Sequence, residues 1–232
     1  MPGTDVTITG PDGKFSGYLA QPASNRGPGI VVIQEIFGVN EVIRGIANAL
    51  ADQGNFALAP DLFWRIEPNI QITDKTDAEW KRAFDLYQKF NVDAGIKDIQ
   101  AAMTHLRGVP GAGPKIGAVG YCLGGLLAYL TATRTNVDAA VGYYGVGIER
   151  LLTEKDRIKK PLLLHIAEKD QFVPPAAQAQ IIDAVRGHPL VTIHTYPGVD
   201  HAFARIGGQH YNKKAADLAN KRTQEFFQKH LS

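Results

Sequence analysis

The chain has 232 residues, 44% of them hydrophobic and 21% charged, the proportions of a globular protein with a sizeable core. A formal net charge of +2 gives no electrostatic reason to expect nucleic acid or a membrane surface as partner. A single cysteine excludes an internal disulfide, and with it the disulfide-scaffold class, and fits a reducing compartment.

The first residues lack a basic segment leading into an apolar run, and no apolar stretch reaches bilayer-spanning length. No signal peptide or membrane anchor is therefore expected, and a cytoplasmic location is the default. The length fits one α/β domain over residues 1–232, with no repeat, low-complexity tract or linker to divide it. A monomer acting on a small molecule is expected.

In chain order, residues 6–9 and 14–20 read as strands of a hairpin turning at Pro11-Asp12-Gly13. Residues 29–34 form an apolar, β-branched run, as in a strand buried on both faces of a parallel sheet. Between Glu41 and Gln53, Val42, Ile43, Ile46, Ala49 and Leu50 recur at helical spacing, and Gly54 stops the helix. A short buried strand spans 56–59, an irregular surface excursion spans 62–76, and helices are expected over 81–90 and 94–106.

Residues 116–119 form the next apolar run, reaching Gly120-Tyr121-Cys122-Leu123-Gly124-Gly125 and then a helical stretch over 126–130. Strands follow at 139–144, 161–167 and 191–196, with a charged helical connection over 145–160 and helices over 176–185 and 215–231. Strands alternating with helices imply right-handed crossovers and a mostly parallel sheet covered on both faces.

Gly120-x-Cys122-x-Gly124 is a cysteine version of the nucleophile elbow, a sharp strand-to-helix turn that exposes a nucleophile at the end of a sheet. Small neighbours let strand and helix approach closely, and the helix N-terminus favours a thiolate and a developing oxyanion. A lone cysteine in such a segment is also compatible with an inert core residue. Three further polar residues occupy corresponding positions just after strands, where reactive groups gather in open α/β sheets. These are Glu35, Asp170 and His201.

The order nucleophile, acid, histidine is that of an α/β-hydrolase triad. Cys122 would attack a carbonyl carbon, His201 would act as base and then acid, and Asp170 would orient the imidazole. Asp170 could instead simply cap the following helix. His105, His165, His188, His194, His210 and His230 read as surface or packing residues. None of these histidines shows a ligand spacing with another, so no metal is expected. Glu35 could serve as a proton acceptor beside the thiol, and the amides of Ile36 and Leu123 are placed by chain position to form an oxyanion hole.

The segments Gln34–Asn40, Gly120–Gly125, Val141–Gly147 and His201–Arg205 together resemble the dienelactone hydrolase (carboxymethylenebutenolidase) family, over nearly the whole chain. The resemblance implies an α/β-hydrolase fold and hydrolysis of a small anionic enol-lactone, dienelactone, to maleylacetate in aromatic catabolism, with no cofactor. It matches Cys122, His201 and Asp170 to the family's triad, and Glu35 to a glutamate that deprotonates the cysteine. It matches Arg205 to an arginine that binds the substrate carboxylate. Phe37 and Tyr143, inside two of these motifs, are further candidate substrate contacts. Two positions depart from the pattern. Ala202 stands where the family has serine, and Trp80 aligns with a second substrate-binding arginine, leaving Arg82 as its candidate replacement. A carboxylesterase or lactonase of the same fold with another small ester is the alternative, and a non-catalytic small-molecule binding module is the third reading.

Overall fold

A computed structural model describes residues 2–232. Among them eight strands follow the order β1-β2-β4-β3-β5-β6-β7-β8, and the chain divides after Ala118 into two compact units.

The first unit opens with the expected hairpin, β1 (Thr4–Gly10) and β2 (Gly13–Ala20). β2 pairs antiparallel with β4 (Phe56–Pro60), which pairs parallel with β3 (Gly27–Ile33). Both β4 and the end of β3 are wholly buried, which explains why they read as continuous apolar runs rather than alternating ones. Helix α1 (Glu41–Asp52) is capped by Asn40, whose side chain accepts from the Ile43 amide. Helix α2 (Asp77–Lys89) starts four residues before the periodicity predicts. The reason is a capping box: Thr76 accepts from the Glu79 amide, while the Glu79 carboxylate takes the Thr76 and Thr73 hydroxyls. Helix α3 (Val92–Arg107) is capped by Asn91 and leads into β5 (Ala112–Tyr121).

The excursion between β4 and α2 is irregular, as expected, but firmly tied. Asp61 accepts from the amides of Phe63 and Asn69. Arg65 forms a two-point pair with buried Asp98 of α3, at 2.8 and 3.1 Å, and the Trp64 indole donates to the same carboxylate. The far end of the excursion then holds the segment after β3: Ile72 donates to the Phe37 carbonyl, Gly38 bridges Gln71, and Asn40 Nδ2 donates to the Ile72 carbonyl.

In the second unit, α4 (Leu123–Arg134) follows β5 directly, and β6 (Ala139–Tyr143), β7 (Leu162–Ala167) and β8 (Val191–Tyr196) pair in parallel. The connection over 145–160 contains a 3₁₀ segment, Ile148–Arg157, broken at Leu151, rather than an α-helix. Helices α5 (Pro175–Val185) and α6 (Lys213–Leu231) complete the unit, α6 capped by Asn212. A buried polar chain fixes α6 to the strands: Tyr143 Oη meets Thr223 Oγ1 at 2.6 Å, Thr223 meets His165 Nε2 at 2.9 Å, and His165 Nδ1 meets Tyr196 Oη at 2.7 Å. His165 is a packing residue, its pKa held well below the ordinary histidine value first by burial. Among the described residues no helix is long and apolar enough to cross a membrane.

Candidate active site

β5 ends at Tyr121, and the turn into α4 is made by Cys122 itself, at φ 57° and ψ −114°. A side chain in this region of backbone space is strained by about 1–3 kcal/mol and is held there only by its surroundings. The holding contacts are on both sides. The Cys122 amide donates to the carbonyl of Tyr143 at the end of β6, and its own carbonyl accepts from Gly125 and Leu126. A β-carbon on Gly120 would lie 1.8 Å from the Gly124 carbonyl oxygen, and one on Gly125 2.4 Å from the Tyr143 carbonyl oxygen. Glycine at these positions is therefore a steric requirement. The thiol is buried, and Leu123 is the first residue of α4, where helix geometry gives its N–H no intrahelical partner.

Asp170 lies three residues beyond β7 and His201 five beyond β8. Because the two strands are parallel neighbours, their following loops emerge at one end of the unit. His201 Nδ1 is 2.9 Å from Asp170 Oδ2 and 3.1 Å from Oδ1, with both residues buried. Asp170 Oδ1 also accepts from the amides of Phe172 and Val173, so the capping alternative is partly realised. It closes a turn in the loop before α5, whose own N-cap is Pro174. The imidazole is flanked edge-on by Tyr144, with ring centroids 5.0 Å apart, and by Phe172 at 4.9 Å. Neither ring was singled out from the sequence; the Asp-x-Phe spacing of Asp170 and Phe172 was the available signal.

The His201 pKa is raised to about 10. Burial is the largest influence and opposes the charged ring, but it is outweighed jointly by negative charge at Cys122 and by the hydrogen bond and charge of Asp170. Nε2 is buried and makes no well-aligned hydrogen bond, although the Cys122 side chain is near enough to act on the ring as a loose partner. A base beside its nucleophile often shows such slack before substrate tightens the contact.

The remaining expected residues divide. Arg205 is buried in the His201 loop, its amide donating to the carbonyl of Ala202, which itself has φ 60°. Glu35, Ile36 and Phe37 lie in the tied segment after β3, all buried, in the first unit. Phe37 packs edge-on against Trp80 at 5.1 Å. Two expected substrate contacts have their polar atoms engaged within the protein. Tyr143 is fully enclosed, and its hydroxyl is committed to Asn220 and Thr223 of α6, leaving nothing to offer a ligand. Arg82 has its two terminal nitrogens engaged by Asp85, at 2.6 Å, and Glu67, so its charge is already matched on the surface of α2. Among the described residues no group of three or more His, Cys, Asp or Glu side chains could hold a metal ion.

Comparison with known proteins identifies the family of the chain. The chain is 51% identical to an Azospirillum brasilense protein named provisionally as a carboxymethylenebutenolidase, covering 98% of this chain and 99% of that one. It is 40% identical to the carboxymethylenebutenolidase of Pseudomonas putida, covering 95% and 94%. Its fold matches the crystal structure of a provisionally named dienelactone hydrolase from Klebsiella pneumoniae subsp. pneumoniae MGH 78578 with a TM-score of 0.85 at 25% identity, covering 97% and 98% of the two chains. The sequence model of the Dienelactone hydrolase family matches residues 15–231, and the chain belongs to that family.

Proposed function

We propose that this chain is a carboxylic ester hydrolase that opens a small anionic enol-lactone, dienelactone, to maleylacetate through a thioester acyl-enzyme. The observation that carries the reading is the buried Asp170–His201 pair beside a cysteine held at positive φ at the start of α4. The Cys122 thiolate attacks the lactone carbonyl, and the new carbon–sulfur bond forms as the carbonyl electrons move to oxygen. The Leu123 amide receives that developing charge, and the second donor's role is assigned to the Ile36 amide from its chain position alone. When the ring carbon–oxygen bond breaks, the charged form of the His201 ring, which its raised pKa favours, supplies its Nε2 proton to the departing enolate, and the neutral ring then takes a proton from the water that hydrolyses the thioester. Asp170 keeps the imidazole in the tautomer with its proton on Nδ1. Glu35 is assigned the proton-acceptor role toward the thiol from the family resemblance, and Arg205 the binding of the substrate carboxylate. The protein works as a monomer in the cytoplasm, a single α/β-hydrolase domain needing no cofactor.

The test is a comparison of kcat/KM for cis- and trans-dienelactone with that for a neutral p-nitrophenyl ester, in the native chain and in Cys122→Ala. A preference for the anionic lactones, abolished in the variant, is expected; substantial turnover by Cys122→Ala would remove the nucleophile assignment. One observation favours the esterase alternative. Trp80 stacks on Phe84, which is 41% exposed, so α2 offers an apolar surface where the family resemblance leads one to expect a cation. A neutral ester outperforming both lactones would select that reading.

A further inference from the structure

Asp170 and His201 both sit on loops, the parts of a fold with the least intrinsic rigidity, yet their contact has to be held within a fraction of an ångström. The side chain between them that has no role in the proposed chemistry is Asp200. Its Oδ1 accepts from the backbone amide of Gln171, the residue after Asp170, at 2.9 Å, and from the amide of His201 at 2.6 Å. Its Oδ2 faces Gln171 Nε2 at 3.5 Å and His210 Nδ1 at 3.7 Å, and His210 Nε2 lies 3.4 Å from Gln171 Nε2. Other ties between the two loops lie further back, at Glu168 with Tyr196 and Gly198 and at Lys169 with Val199.

We propose that Asp200 is a positioning residue: by bridging the amides of Gln171 and His201 with one oxygen it sets the separation of Asp170 and the imidazole. The proposal rests on the reading of that pair as the orienting acid and base. A carboxylate suits the task because a single oxygen with several lone pairs can take two N–H donors at once, and its charge shortens both bonds. What the bridge requires is the acceptor oxygen at that point, and Asp200→Asn can supply it. Asp200→Glu keeps the charge but carries the oxygen one methylene further out.

The test measures the full chain and the variants Asp200→Ala, Asp200→Asn and Asp200→Glu in two ways. The first is the downfield proton resonance of His201 Nδ1–H, assigned by its loss in His201→Gln. The second is kcat and KM for the best substrate found. Asp200→Ala and Asp200→Glu are expected to shift or broaden the resonance and to lower kcat by about 10- to 100-fold with KM little changed, the size of effect that a small misplacement of a reacting group produces. Asp200→Asn is expected to keep the resonance and most of kcat. Damage in Asp200→Asn would overturn the proposal, and with a native Asp200→Glu it would assign the effect to charge rather than placement; a native resonance and native kcat in Asp200→Ala would overturn it as well. The Asn and Glu variants decide the matter even if the Ala variant does not fold. A native chain with no hydrolytic activity whose resonance still responds in this pattern would remove the functional reading and leave the positioning role standing.

Discussion

At Asp170, Oδ1 takes the amides of Phe172 and Val173 while both carboxylate oxygens face the imidazole Nδ1, so the acid is fixed by its own loop before it orients the ring. Asparagine could keep the turn contacts but would present an N–H or a weaker acceptor to Nδ1. Asp170→Asn is therefore expected to lower kcat by about 10⁴-fold, the scale seen when a triad acid is neutralised, with little change in thermal midpoint; steady-state kinetics and a melting curve check the two halves. Cys122, Asp170 and His201 are candidates from the sequence alone because they lie one, three and five residues beyond strand ends and the chemistry restricts the residue types. The orientation of Tyr143 is not legible in the same way. In β6 every residue is buried, so no polar–apolar alternation marks which face a side chain takes, and its hydroxyl turned toward Thr223 and Asn220. The pairing of Arg82 is legible only in part, because Asp85 is a helical neighbour while Glu67 approaches only once α2 and the excursion are in place.

Between residue and site stand elements whose geometry is less visible in composition. The elbow needs Gly120 because a β-carbon there would strike the Gly124 backbone at 1.8 Å. Gly120→Ala is expected to destabilise the fold by about 1–3 kcal/mol, the cost of overpacking a closed contact, and to lower activity with it; chemical denaturation alongside kinetics measures both. The excursion before α2 has the opposite character. It lacks a hydrophobic period, so the sequence gives only its irregularity, while its rigidity comes from Arg65 reaching back to Asp98. Arg65→Met would leave the Asp98 carboxylate, with 1% of its side chain exposed, without its cation. A loss of about 3–5 kcal/mol is expected, as for other broken buried pairs, with increased amide exchange at Gln71 and Ile72, the residues that hold Phe37 and Gly38. α2 itself began early because of Thr76-x-x-Glu79, a signal present in the sequence but outside its hydrophobic pattern.

For the molecule as a whole, the alternation of strands and helices was enough to anticipate the architecture, because apolar runs as short as those of β4 and β6 can be buried on both faces only in a covered sheet. The raised pKa of His201 couples the site to global stability. A ring whose folded pKa is about 10, against 6.5 in the open chain, contributes stability that is complete below pH 6.5 and is lost as pH rises from there through about 10. The urea midpoint of the native chain is thus expected to fall across that window more steeply than that of His201→Gln; parallel slopes would contradict it. Finally, Cys122 is the single thiol in all 232 residues. Every mole of a thiol-directed label taken up by the folded protein must therefore sit at the elbow. Intact-mass measurement after labelling then counts reactive centres per chain, and the chain serves as its own titrant for the fraction of any preparation that is competent.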